Sequence, residues 1–329
     1  MTKEQAGSIL NTLRDWRNDP SIIKRKSSKH YIHYTSFAGF KAMLEPYVEK
    51  NEPYFKIFPS QIQYLNDYQE YKAGVKVVGL KTDDEDNNVF AVCFCGEEDL
   101  LSQWKYYGKN SGISIEFDFN TKNPCRCKWW GKIDEVKNSD NDGLLMKPYM
   151  VFYDNHTDEY NKLYKNFRLS HPESVLKSIF IPFCKDKSFH EENESRLIFY
   201  PLSDDNCKTD IKYRVTEDKI IPQFECGIAY IDNSKRNSVP IKNVMIGPGH
   251  NQILLFNAVI HMLERDKSNL YFWDGDTIDS IKKECLAVNS DLQSSRKMCV
   301  VKKHGERYYV TYKTDGGITV QLSPTPFRP

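Results

Sequence analysis

Phe189-His190-Glu191-Glu192-Asn193-Glu194-Ser195-Arg196-Leu197-Ile198-Phe199-Tyr200 leads three glutamates and an arginine into an apolar strand. Side chains alternate faces along a strand, so Glu192, Glu194 and Arg196 are expected on one side and Leu197 and Phe199 on the other. Two carboxylates and a guanidinium then meet at the strand entrance. Burying such groups is costly unless partners satisfy them. Either Arg196 neutralises Glu194 in an ordinary ion pair, or the cluster lines a polar cleft. The stretch by itself leaves both open.

On its N-terminal side, residues 157–183 read as helical, with Tyr160, Leu163, Tyr164 and Phe167, a break at His171-Pro172, and a second run through Val175, Leu176, Ile179 and Phe180. On its C-terminal side, residues 226–231 and 239–246 read as strands. Gly247-Pro248-Gly249-His250-Asn251 then turns into a helix carrying Ile253, Phe256, Val259, Ile260 and Leu263. A strand, a glycine turn and a helix start can bind phosphate through free backbone amides, but this turn lacks G-x-G-x-x-G and a P-loop lysine. Residues 307–313 and 318–322 flank Thr314-Asp315-Gly316-Gly317, a hairpin signal.

The first half carries its own punctuation. Residues 3–17 read as an amphipathic helix, followed by the basic linker Lys24-Arg25-Lys26-Ser27-Ser28-Lys29, so 1–29 is set apart from a single α+β domain over 30–329. His30-Tyr31-Ile32-His33-Tyr34-Thr35-Ser36 is rich in strand formers and passes into the helix 37–44, capped by Thr35 or Ser36. Tyr64-Leu65-Asn66-Asp67-Tyr68-Gln69-Glu70 offers a turn with a D-x-x-E capping pattern, equally suited to helix capping and to a site. Residues 89–95 form an apolar run of central-strand length. Glu97, Glu98 and Asp99 are placed in the first turn of a helix bearing Leu100, Leu101, Trp104 and Tyr107, ended by Gly108. Trp104 and Tyr107 share a face that is either core or the wall of a cleft. Ile113-Ser114-Ile115-Glu116-Phe117-Asp118-Phe119 alternates as a half-buried strand, and 120–147 reads as a short strand and a mobile loop. Without a regular βαβ rhythm, these elements predict an α+β fold on a mainly antiparallel sheet with surrounding helices.

Composition narrows the partners. Among 329 residues, 46 Lys plus Arg nearly cancel 45 Asp plus Glu, so the net charge of +1 supplies no global attraction to nucleic acid or a membrane surface. With 20 Tyr, 18 Phe and 5 Trp the chain has the apolar bulk to order itself. Nine cysteines, with Cys93/Cys95 and Cys125/Cys127 spaced C-x-C, predict reduced thiols and no metal. The start Met1-Thr2-Lys3-Glu4-Gln5 has no leader pattern, and no run approaches the ~20 apolar residues of a membrane span, so a soluble cytoplasmic protein is expected.

Taken in order, His33-Tyr34-Thr35, Asn66-Asp67 with Glu70, Cys93-Phe94, Trp104 with Tyr107 and Gly112, Glu192-Asn193-Glu194-Ser195-Arg196, residues 241–248 and Ser323-Pro324-Thr325-Pro326-Phe327-Arg328 resemble the prokaryotic family described as domain of unknown function 2971. The resemblance spans roughly residues 30–329. Where that family usually has an aromatic before its acidic pair, this chain has His190.

More distantly, His33-Tyr34-Thr35 ahead of a helix, an aromatic-bearing middle and a late Glu-x-Glu resemble ADP-ribosyltransferases. That resemblance implies a split antiparallel sheet with NAD, consumed as substrate, in its cleft. It implies Glu194 as the catalytic carboxylate, Glu192 orienting or activating the acceptor, and His33 gripping a ribose hydroxyl or the nicotinamide region. NAD contacts would come from His33, Tyr34, Thr35, Tyr64, Asn66, Asp67, Trp104, Tyr107 and Arg196, with Tyr64 or Tyr107 stacking on nicotinamide. The partners implied are a small-molecule nucleotide and a macromolecular acceptor, in prokaryotic antiviral defence or as a toxin.

The chemistry suits that assignment. Breaking the nicotinamide–ribose bond develops positive charge on the sugar, and an ionised carboxylate attracts that transition state more than the substrate. Arg196 either keeps Glu194 ionised or occupies it. The competing expectation is a nucleotide- or partner-binding sensor module built from the same residues, without turnover. A nuclease would have to work with the sparse set Asp67, Glu70 and Glu192.

Overall fold

The computed structural model describes residues 28, 30–65, 89–108, 112–119, 125–128, 144–145, 148–153, 158, 165, 181–201, 210–216, 219–230, 239–264, 298–303, 307–314 and 317–325, with the backbone alone for 125–128, 144–145, 298–303 and 307–310. The sequence predicts one domain over 30–329. The chain packs as two compact units, each assembled from three stretches: Met1–Lys29, Ile57–Gly96 and Arg126–Gly227 form the first, and His30–Lys56, Glu97–Cys125 and Ile228–Pro329 the second. The predicted helix 3–17, the capping pattern at Asn66, Asp67 and Glu70, the loop 129–143 and most of 157–180 lie outside the described residues.

In chain order the strands are β1 (Ile32–Thr35), β2 (Tyr54–Ile57), β3 (Ser60–Gln61), β4 (Phe90–Phe94), β5 (Ile113–Phe117), β6 (Cys125–Lys128), β7 (Leu144–Leu145), β8 (Tyr149–Met150) and β9 (Phe152–Tyr153). They continue with β10 (Cys184–Lys185), β11 (Ser195–Phe199), β12 (Lys212–Val215), β13 (Ile220–Gln223), β14 (Cys226–Tyr230), β15 (Ile241–Ile246), β16 (Met298–Lys303), β17 (Arg307–Lys313) and β18 (Thr319–Leu322). The helices are α1 (Phe37–Glu49), α2 (Leu101–Tyr107) and α3 (Gln252–Leu263). The fold is mixed α+β, with mostly antiparallel sheets and few helices among the described residues, as the mixed pattern of strand and helix signals predicts. No helix among the described residues is long and apolar enough to cross a membrane.

The first unit is built on a sheet of order β12-β13-β3-β4-β11-β8. The apolar run after residue 89 is indeed an inner strand, flanked by β3 and β11. Phe90, Phe199 and Phe224 meet edge-on in its core, with ring centroids 5.2 and 5.9 Å apart. β11 begins at Ser195, not earlier: residues Lys187–Glu192 form a 3-10 turn closed by Asn193, whose φ of 45° lies in the left-handed region that asparagine tolerates. Glu192 therefore leaves the strand alternation expected of it, while Glu194 and Arg196 keep theirs.

The second unit is built on a sheet of order β1-β5-β15-β18-β17-β16, antiparallel except for the parallel pair β15·β18. β5 was expected to be half-buried. It is buried along its whole length because β1 and β15 flank it and both of its faces are covered, so Ser114 and Glu116 are inside as well. Ser36 caps α1 by accepting a hydrogen bond from the Gly39 amide at 3.2 Å, as its position predicts. The predicted hairpin is present as β17·β18, where the Thr314 amide bonds the Ile318 carbonyl and Gly317 takes a φ of 79°. α3 follows the Gly247 turn and ties it down through Gln252, whose side chain donates to the Ile246 and Ser323 carbonyls.

The acids at 97–99 do not form a helix first turn. α2 starts only after Leu100, and Asp99 has a φ of 59°, a conformation no helix contains. Its buried carboxylate accepts hydrogen bonds from Trp104 Nε1 at 2.8 Å, Ser323 Oγ at 2.5 Å and Thr325 Oγ1 at 2.6 Å. Three donors to one inward-turned carboxylate account for the left-handed backbone. Gly247 lies against the same indole: a Cβ there would stand 2.7 Å from the Trp104 ring. Cys93, Cys95 and Cys184 are thiols outside any disulfide, as expected, but Cys226 is disulfide-bonded, which corrects the expectation of reduced thiols throughout; its partner is outside the residues whose side chains are described.

Candidate functional site

Strand β11 presents Arg196 opposite Cys93 of β4, and Glu194, two residues earlier, shares that face. Arg196 Nε donates to Glu194 Oε1 at 2.5 Å, its Nη2 reaches Glu194 Oε2 at 3.3 Å, and its Nη1 donates to the Pro182 carbonyl at 2.8 Å. Lys185 Nζ, from β10, donates to Glu194 Oε2 and, at 2.8 Å, to Glu192 Oε2. The Glu194 amide receives no spare freedom either, since it donates to Tyr153 Oη at 2.8 Å. The result is a four-membered chain of charge, Glu192–Lys185–Glu194–Arg196, in the first unit.

Burial grades this chain. Glu194 is 2% exposed and Arg196 1%, while the Glu192 side chain keeps 17%. Burial alone would push the Glu194 carboxyl up, but the charges of Arg196 and Lys185 outweigh it and hold the group well below the usual carboxylate range. Burial, reinforced by the Glu194 charge, pushes the Cys93 thiol up and disfavours its thiolate. Burial likewise raises Tyr153, keeping its phenol protonated. Because the folded-state pKa of Glu194 is depressed, its ion pairs stabilise the fold above the ordinary value of about 4.5 and that contribution is lost as pH falls below it. Acid titration of stability should therefore be steep below about pH 4.5 in the native chain and shallower in Glu194→Gln, read by denaturant melts at each pH.

The other predicted residues are distributed as follows. His33 and Thr35 are half-buried and share one face of β1, in the second unit. Tyr34, on the opposite face, is buried: its ring meets Trp104 edge-on at 4.8 Å, and its hydroxyl accepts from the Leu100 amide and donates to the Glu97 carbonyl. Trp104 is likewise buried and bonded to Asp99, so the two rings take part in the packing of β1 against α2. Tyr107 and Tyr64 are 38% and 39% exposed. Asn66 and Asp67 lie outside the described residues.

Glu192, Glu194 and Arg196 are thus brought together, and Lys185 and Tyr153 join them without having been foreseen. Lys185 belongs to Cys184-Lys185-Asp186-Lys187, where no local pattern signals burial, and it stands opposite Tyr153 in the pairing of β10 with β9. No protein-family model, curated protein or solved structure matched the chain.

Proposed function

We propose that this protein is a binding module that holds a polar, hydroxyl-bearing ligand of the nucleotide class without turning it over. One observation carries this reading: both oxygens of Glu194 are taken by Arg196 and Lys185 inside the molecule. A carboxylate in that state has little attraction left for a developing sugar cation, because two cations already neutralise it. Glu192, half-buried at the end of its 3-10 turn and held by Lys185, keeps enough exposure to meet a ribose hydroxyl. The nucleotide class itself rests on the resemblance to ADP-ribosyltransferases.

That resemblance also supports a second reading, an ADP-ribosyltransferase-like enzyme with NAD as substrate, and the accessible carboxylate of Glu192 is the observation that favours it. Incubation with NAD separates the two. A binding module gives saturable heat in calorimetry and no free nicotinamide, and Glu192→Gln weakens binding about tenfold, or about 1.4 kcal/mol. Nicotinamide release that Glu192→Gln abolishes would replace the module by the transferase. Absence of both binding and release would sink both readings.

A further inference from the structure

A separate set of groups converges in the second unit. His30 Nδ1 lies 2.8 Å from Glu116 Oε1 and 3.2 Å from Glu98 Oε1, and the ligand atoms of the three residues all lie within 4.8 Å of one another. The side chains of both glutamates are 6% exposed, that of His30 25%. Between β5 and β15 the register slips at Lys242, so that Lys242 and Asn243 together oppose Glu116. Cross-strand partners put their side chains on the same face, and a bulge aims its extra residue there too. Lys242 Nζ accordingly reaches Glu116 Oε1 at 2.6 Å. The Asn243 side chain follows, and its Oδ1 is buried with no hydrogen-bond partner among the described residues.

Buried amide oxygens are nearly always satisfied, and this one belongs to the residue that opposes Glu116 across the strands. A proton donor would do for the amide alone. A cation answers for the whole set. Adjacent donors around an octahedral ion with bonds of about 2.1 Å stand about 3 Å apart, close to the His30–Glu116 and His30–Glu98 separations. Without the ion, Nδ1 donates its hydrogen to the carboxylates, which accept only, and Lys242 sets an ammonium on Glu116 from a side chain that is 58% exposed and can leave.

We propose that His30, Glu98, Glu116 and Asn243 form a site for a divalent first-row metal ion of the manganese type, with Lys242 as the resident counter-charge that the ion displaces. One imidazole with three oxygen donors and no thiolate suits such an ion better than a soft or tetrahedral one.

The test uses Mn2+ alone with the full chain, following loss of the free aqueous Mn2+ signal by electron paramagnetic resonance. One Mn2+ per chain is expected, with affinity reduced at least tenfold in Glu98→Gln and in Asn243→Val and raised about tenfold in Lys242→Met. The exposed Lys242 position keeps the test valid if a buried variant fails to fold. If neither the native chain nor Lys242→Met retains Mn2+, or if retention survives both Glu98→Gln and Asn243→Val, the site does not exist and the cluster is a hydrogen-bonded ion pair only.

Discussion

Replacing Arg196 by methionine will destabilise the protein by about 3–5 kcal/mol, because it leaves Glu194 charged inside the fold with Lys185 as its remaining cation. The alkyl portion of methionine fills much of the space, so the loss is electrostatic rather than a cavity. The Pro182 carbonyl loses its donor in the same step. Adding Glu194→Gln to Arg196→Met should recover part of the loss, since the second substitution removes the uncompensated charge that the first one created. Urea unfolding of the two single variants and the double variant measures this directly. A change within about 0.5 kcal/mol for Arg196→Met, as at an ordinary surface position, would show that the buried chain of charge does not exist.

Asp99→Ala should cost about 3 kcal/mol or more, by two separable routes. Trp104 Nε1 and the Ser323 hydroxyl lose a buried acceptor, and each orphaned group costs about 1–3 kcal/mol. The second route is backbone strain, since alanine must hold the φ of 59° without a side chain that repays it. Asp99→Gly removes the strain but not the orphaned donors, and should be about 1 kcal/mol less damaging than Asp99→Ala. Amide exchange in β18 reports the same event locally, because Ser323 directly follows that strand. Equal stability of the alanine and glycine variants would remove the strain argument while leaving the hydrogen bonds to account for the loss.

What the sequence disclosed divides along physical lines. β4, β15, the β17·β18 hairpin and the Ser36 cap were legible because each is announced locally, by an apolar run, a turn residue or a side-chain oxygen at a helix start. The state of β5 was not: Ile-Ser-Ile-Glu-Phe alternates like an exposed-face strand, and its burial comes from neighbours far away in the chain. Asp99 misled for a related reason, since an acid before a helix ordinarily serves the helix dipole, and here its partners are Ser323 and Thr325, more than two hundred residues on. In the site, the meeting of Glu194 with Arg196 follows from their spacing, whereas Glu192 ends a 3-10 turn and joins them through Lys185. Their burial does not, because it depends on Lys185 and Tyr153, whose approach no local pattern signals.

β18 occupies an interior place in its sheet, between β15 and β17, while β1 and β5 wait from residues 32–35 and 113–117. The parallel edge of β15 has no neighbour until residues 319–322 have been synthesised. Until residues 319–322 have left the ribosome, the nascent chain carries an incomplete sheet with a bare hydrogen-bonding edge. Assembly of that unit is therefore expected to be slow, since every one of its pairings except the β16·β17·β18 meander closes a long loop. Nascent chains stalled before residue 319 should be the form that chaperones hold and proteases cut.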